Sequence, residues 1–324
     1  MSYIQEKEVA IQACMAAAQL CEQVRQNIPE AIAKEDRSPV TVADFGAQAI
    51  VCKALSEAFP SDPVVGEEEA ATLKDKPEVL EQVTNYVKNV IPTATPEQVV
   101  NWIDHGKVDL GNRYWTLDPI DGTKGFLRQD QYAIALALIE DGIIKVGVLA
   151  CPALSFHGEQ GLLFVAVRGE GATMMSLSGA NPKTIKVSES SEKMRFVESV
   201  ESGHGNQTQQ SAIAQKVGIT TSSLRMDSQA KYAAVAAGEA ALYLRLPSPK
   251  TPDYREKIWD HAAGVIVVEE AGGKVTDMHG KPLDFSLGAK LINNQGVVVS
   301  NAKVHDAVIA ALSSGVKNNH LNTV

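Results

Sequence analysis

Between Arg113 and Met175 the chain is dominated by apolar, strand-like runs that double back at glycine-containing turns. "RYWTLDP" is apolar up to its aspartate, and "YAIALALIEDGIIKVGVLACP" reads as two strands around a Glu-Asp-Gly turn. "GLLFVAVRGEGATMM" repeats the hairpin pattern with glycine at its turn. Further on, the apolar runs "RFVESV", "SSLRMD", "EAALYLRL" and "GVVVS" alternate with helical stretches near 207–217, in "QAKYAAVAAG", in "WDHAAGVIVVEEAGG" and at 302–313. Sheet of this kind has to be covered by helices, so the pattern predicts an α/β (α+β) class with layered sheet and helix.

Ahead of the strands, Val9, Ile11, Ala13, Met15, Ala16, Leu20 and Val24 recur at roughly helical spacing, predicting a long first helix that ends before Pro29. A second helix is expected from an N-cap at Thr41 to Pro60, and Val64 and Val65 form a short strand that ends in acidic residues. Residues 71–101 read as surface helices of mixed charge. Composition turns polar near Asn181 to Ser191, which places a domain boundary there and divides the chain into 1–185 and 186–324. No repeat of 20–50 residues is visible.

Thirty basic residues against thirty-nine acidic ones leave a net charge of −9, and no basic stripe forms. A nucleic-acid duplex is therefore excluded as a partner. A phosphorylated substrate would need cations or locally placed basic groups to enter. With 44% hydrophobic residues in 324 the chain can bury a substantial core. Cys14, Cys21, Cys52 and Cys151 show neither a CxxC pair nor metal-knuckle spacing, so they read as core thiols of a reducing compartment. The first residues lack a secretory pattern and no run of 18 apolar residues occurs. A cytoplasmic monomer that contacts no membrane and acts on a small-molecule nucleotide is the expectation.

"LDPIDGTKGF" sets Asp118 and Asp121 three apart where a strand ends and a helix opens at Gly122 and Thr123. Close carboxylates repel unless a cation lies between them, and the first N–H groups of a helix favour an anion. Hard divalent cations bridging carboxylates and phosphate oxygens satisfy both. The other reading is an Asp-Pro turn with Asp121 as a helix cap. Glu67 and Glu68 also follow an apolar run, and Asp260 stands where a helix starts, as cap or as ligand. Asp44 either completes a capping-box-like pair with Thr41 or orients the Thr123 hydroxyl toward a reacting water.

Taken together, "VGEEEA", "WTLDPIDGTKGF" and "KIWDHAAG" resemble the Gly-Glu-Glu, Trp-x-x-Asp-Pro-Ile-Asp-Gly-Thr and Trp-Asp pattern of the lithium-sensitive, magnesium-dependent phosphomonoesterases, the inositol monophosphatase superfamily. Within it, "RMDSQAKYAAVAAG", "ALYLRLP" and "YREKIWDHAAGVIVVEEAGGKVTD" look like the 3′(2′),5′-bisphosphate nucleotidases. The resemblance implies an α/β/α/β/α sandwich, and two or three Mg²⁺ ions held by Glu67, Asp118, the Ile120 carbonyl, Asp121 and Asp260. It further implies Asp44 and Thr123 as the water-activating pair, and a nucleotide held by Gly122, Thr123, His204, Ser228, Lys231 and Arg245. Lys231 and Arg245 would supply charge to the phosphate that is not cleaved. The implied activity removes the 3′-phosphate of adenosine 3′,5′-bisphosphate, with the sulfated analogue as second substrate and Li⁺ as inhibitor. An inositol polyphosphate 1-phosphatase and a non-catalytic nucleotide sensor are the competing readings.

Overall fold

The computed structural model describes residues 2–27, 38–106, 111–190, 194–201, 206–248 and 250–319, with backbone alone at 38–41 and 315–319. Its elements run α1 (Ile4–Gln26), α2 (Ser38–Ala58), β1 (Val64–Gly66), α3 (Ala71–Lys74), α4 (Pro77–Lys88), α5 (Pro96–Asp104), β2 (Arg113–Asp121) and α6 (Thr123–Leu127). Then follow β3 (Ala133–Glu140), β4 (Ile143–Phe156), β5 (Glu159–Val167), β6 (Gly171–Ser176), β7 (Lys183–Ile185) and β8 (Phe196–Ser199). The remainder is α7 (Gln207–Lys216), β9 (Leu224–Met226), α8 (Ala230–Ala236), β10 (Leu242–Arg245), α9 (Ala262–Glu270), β11 (Lys274–Thr276), β12 (Val297–Ser300) and α10 (His305–Asn319).

Strands β1 to β7 form one sheet in chain order, parallel only between β1 and β2. The second sheet has the order β11-β12-β10-β8-β9. Helices α1 and α2 cover one face of the first sheet, α8 and α9 lie between the sheets, and α7 and α10 cover the far side of the second. The result is the five-layer α/β/α/β/α sandwich expected from the sequence.

The period-two alternation of β3 shows why the layers stack in this way. Ile134, Leu136 and Leu138 face the core under α1 and α2, whereas Ala133, Ala135, Ala137 and Ile139 face the core shared with α8 and α9. Both faces are apolar because both are covered, and the mostly small residues on the second face let α9 sit close to the sheet. A third core joins Leu242, Leu244 and Val298 of the second sheet to Ile213 of α7 and to Val308 and Leu312 of α10. All four cysteines are free and buried, and burial pushes their thiols up. Among the described residues no helix is long and apolar enough to cross a membrane.

One local expectation is corrected. Helix α2 begins at Ser38 with Pro39 in its first turn, so Thr41 lies inside the helix and is not its cap. Proline is favoured there because its missing N–H would have no intrahelical partner anyway, and the capping-box reading of Thr41 with Asp44 falls with it. The polar stretch near 181–191 also hides a strand, β7, which pairs with β6. Its Lys183 and Thr184 are exposed, as suits an edge strand that must not recruit another chain.

Candidate active site

Parallel pairing of β1 with β2 sets Gly66 opposite Leu117, and the Glu67 N–H donates to the Leu117 carbonyl at 3.2 Å. The first residue past β1 is thereby carried to Asp118. Gln48 on α2 fixes the next residue, accepting from the Glu68 N–H at 3.0 Å and donating to its carbonyl at 2.6 Å.

Asp118 and Asp121 would point to opposite faces of a regular strand, because they are three apart. Here Asp118 pairs with Ala135 and Asp121 with Ala133, so three steps on β2 face two on β3. This bulge spans Pro119, which has no N–H to give the ladder, and it turns both carboxylates into the same cleft. Asp118 Oδ1 accepts the Ile120 N–H at 3.1 Å, and Ile120 itself lines the cleft. Gly122 follows with φ of 92°, a left-handed conformation that glycine adopts freely, and a Cβ there would stand 2.9 Å from Cβ of Ser228.

The opposite wall comes from the second half of the chain. Ser228 takes φ of 63°, and its Oγ accepts the Ala230 N–H at 3.1 Å where α8 begins. The Gln229 N–H donates to Asp121 Oδ2 at 2.5 Å. Its buried side chain donates to the Trp259 carbonyl at 2.9 Å and accepts from the Gly264 N–H at 3.0 Å. Gln229 thus ties the strand that carries Asp121 to the turn that carries Asp260. Behind it, the Tyr232 hydroxyl meets His261 Nδ1 at 2.6 Å, and His261 Nε2 lies 3.4 Å from Glu256. Arg245 closes this chain with Nε 3.2 Å from Glu256 Oε1.

Glu67, Asp118, Asp121 and Asp260 line this cleft of about 300 Å³ together with Ile120, Gly122, Thr123, Ser228, Lys231 and Arg245, and among the described residues the three ligand atoms within 4.8 Å of one another belong to Asp260, Glu256 and His261. Burial, then the charges of Glu67, Asp121 and Asp260, holds Asp118 well above the usual carboxylate range. Burial, Asp121 and Glu67 do the same to Asp260. Burial also raises Asp121, against the pull of Lys231, the Gln229 N–H and Arg245, and it raises Glu67. Lys231, buried over the Tyr243 ring at 5.4 Å, is lowered to about 8 by burial. Glu256 goes the other way: burial pushes it up, but His261 and Arg245 bring it down to about 2. Four crowded carboxyl groups cannot all ionise without a positive partner, and an all-oxygen donor set suits a hard divalent cation such as Mg²⁺.

Asp44 stands apart from the cleft lining. It is buried on α2 and held well above its usual range by burial and by Glu68 and Glu67. Among the described residues it forms no hydrogen bond to Thr123. His204 lies outside the described residues. Sequence reasoning missed Gln229, His261, Tyr232 and Glu256, although all four lie inside the quoted stretches "DSQAKY" and "YREKIWDHAAG".

A family model described as the inositol monophosphatase family matches residues 5–317. The chain belongs to that family. Among its relatives, a protein of Schizosaccharomyces pombe named 3′(2′),5′-bisphosphate nucleotidase is 44% identical over 97% of this chain and 96% of its own length. A protein of Oryza sativa with the same name is 41% identical over 97% of this chain and 95% of its own. The solved inositol monophosphatase from Anabaena superposes with a TM-score of 0.64 at 24% identity, over 95% of each chain. CysQ from Bacteroides thetaiotaomicron, a bacterial family member, does so with 0.65 at 20%, over 93% of this chain and 99% of its own.

Proposed function

We propose that the chain is a magnesium-dependent phosphomonoesterase that hydrolyses the 3′-phosphate of adenosine 3′,5′-bisphosphate to AMP and phosphate, and also accepts the 5′-phosphosulfate analogue. The observation that carries this reading is the convergence of Glu67, Asp118, Asp121 and Asp260 on one cleft that also holds Lys231 and Arg245. Acidic and basic walls facing each other suit a substrate that brings phosphate to cations at one end and a nucleotide to basic groups at the other.

Glu67, Asp118, Asp121, Asp260 and the Ile120 carbonyl would hold two or three Mg²⁺ ions. Bound there, such ions make water more acidic and neutralise charge that develops on phosphate oxygens. Thr123, which opens α6 beside Asp121, orients the attacking water, and Asp44 would complete the water-activating pair on forming a hydrogen bond to the Thr123 hydroxyl. The N–H groups of Gly122 and Thr123 turn toward the phosphoryl oxygens. Ser228, Lys231, Arg245 and His204 contact parts of the nucleotide that do not react. In this assignment the metal ligands come from residues 1–185, apart from Asp260, and the nucleotide contacts come chiefly from 186–324.

Parallel assays with Mg²⁺ on adenosine 3′,5′-bisphosphate and inositol 1,4-bisphosphate test the reading. Phosphate release is expected from the nucleotide at a kcat/KM at least about tenfold higher, a difference of about 1.4 kcal/mol in transition-state binding. Preference for the inositol compound would instead assign an inositol polyphosphate phosphatase. Tight nucleotide binding with no release would assign a sensor.

A further inference from the structure

Glu67 and Asp118 are placed by the pairing of neighbouring strands in one sheet, whereas Asp260 has to be brought to them from the second half of the chain. It stands in the turn before α9, where the His261 and Ala262 N–H groups both donate to the Ile258 carbonyl, at 3.2 and 2.9 Å. The helix that starts here has no local cap. His261, at the N-cap position, engages Tyr232 and Glu256 with its ring and bonds no N–H of the first turn.

Gln229 supplies the cap from a distant part of the chain. Its Oε1 accepts the Gly264 N–H in the first turn of α9, and its Nε2 donates to the Trp259 carbonyl. One planar amide thus grips the backbone on both sides of Asp260, while the backbone N–H of the same residue donates to Asp121. Gly264 lets α9 approach closely enough, since a Cβ there would stand 2.4 Å from the Tyr232 ring of α8. Gln229 is 1% exposed, so bulk water cannot replace these bonds when the amide is removed. Resting on the function proposed above, we infer that Gln229 is a positioning residue: it sets the separation of Asp121 and Asp260, and with it the affinity for the Mg²⁺ that these two carboxylates share. Cation binding at Glu67 depends instead on the pairing of β1 with β2. Mg²⁺ demands near-ideal octahedral geometry, and groups that hold its ligands in place are worth about 10- to 100-fold in metal affinity.

The test titrates Mn²⁺, which suits the same oxygen donors, into the substrate-free full chain by calorimetry, for the wild type, Gln229→Met and Gln229→Asn. Methionine keeps the length of the side chain and loses both amide bonds, whereas asparagine keeps the amide but is one methylene too short to reach both partners. In Gln229→Met the affinity of one Mn²⁺ site is expected to fall about tenfold while the rest of the binding stays as in the wild type. The Mg²⁺ concentration that half-saturates phosphate release from adenosine 3′,5′-bisphosphate should rise by a similar factor, and excess Mg²⁺ should recover most of the lost turnover. Gln229→Asn should show the same pattern at about threefold, and it carries the test if the methionine variant does not fold. Mn²⁺ affinities within twofold of the wild type, equal weakening at every site, or lost turnover that Mg²⁺ does not relieve would each overturn the inference. A wild-type chain that binds Mn²⁺ but releases no phosphate overturns the proposed function alone, and one that binds no Mn²⁺ overturns both.

Discussion

Asp121→Asn is expected to lower kcat on adenosine 3′,5′-bisphosphate by about a thousandfold, a loss of about 4 kcal/mol, while far-UV circular dichroism stays that of the wild type. The substitution removes one charge from the centre of the carboxylate cluster with almost no change in volume. It keeps an oxygen that can accept the Gln229 N–H, so the tie between the two halves of the cleft persists. The metal-free variant should be no less stable than the wild type, because burial already raises Asp121 and its charge opposes that of Asp118 and Asp260. A variant with wild-type kcat at saturating Mg²⁺ would contradict the placement of Asp121 as a metal ligand.

The second large effect concerns pH. Asp118 and Asp260 lie well above their ordinary value of 3.8 in the folded chain, and Asp121 and Glu67 are raised as well. For acids raised on folding, the stabilising contribution is complete below the unfolded value and is lost as pH rises through the folded one. The metal-free protein should therefore lose stability as pH climbs above about 4, because the unfolded chain releases these protons while burial and mutual repulsion keep them on the folded one. Glu256 acts oppositely: its contribution is present above its ordinary value of 4.5 and disappears as pH falls toward about 2. Mg²⁺ replaces the protons, so the Tm increase it produces should be larger at about pH 8 than at about pH 5.5. At a hundredfold excess over Kd the stabilisation reaches about 2.7 kcal/mol. Differential scanning calorimetry with Mg²⁺ and with chelator at both pH values reads this directly. A shift that is equal at both, or absent, would contradict the cation-binding role of the cluster.

Much of this arrangement is legible in the sequence for a physical reason. Strands β3 and β4 announce themselves because both faces are covered, and the Asp141–Gly142 turn between them supplies the positive φ that a tight hairpin needs. Asp118 and Asp121 are legible as a pair. That they share a face is not, since it depends on a bulge defined by the pairing of β2 with β3. Gln229 is hidden for a similar reason: its partners at Asp121, Trp259 and Gly264 are distant in sequence, and a glutamine beside a short helix carries no local mark of burial. Strand β7 escaped because edge strands keep polar residues. Asp44 was legible as an acid on a helix, but its neighbours Glu67 and Glu68 are set by the pairing of β1 and the hold of Gln48.

Product identification under a Mg²⁺ titration tests the central claim most directly. The chain is incubated with adenosine 3′,5′-bisphosphate, with added Mg²⁺ or with chelator, and the nucleotide product is resolved from its isomers. The expected result is one phosphate and one adenosine 5′-monophosphate per substrate consumed, rising with Mg²⁺ and abolished by chelator. Release that persists in chelator, or adenosine 3′-monophosphate as the product, would contradict it.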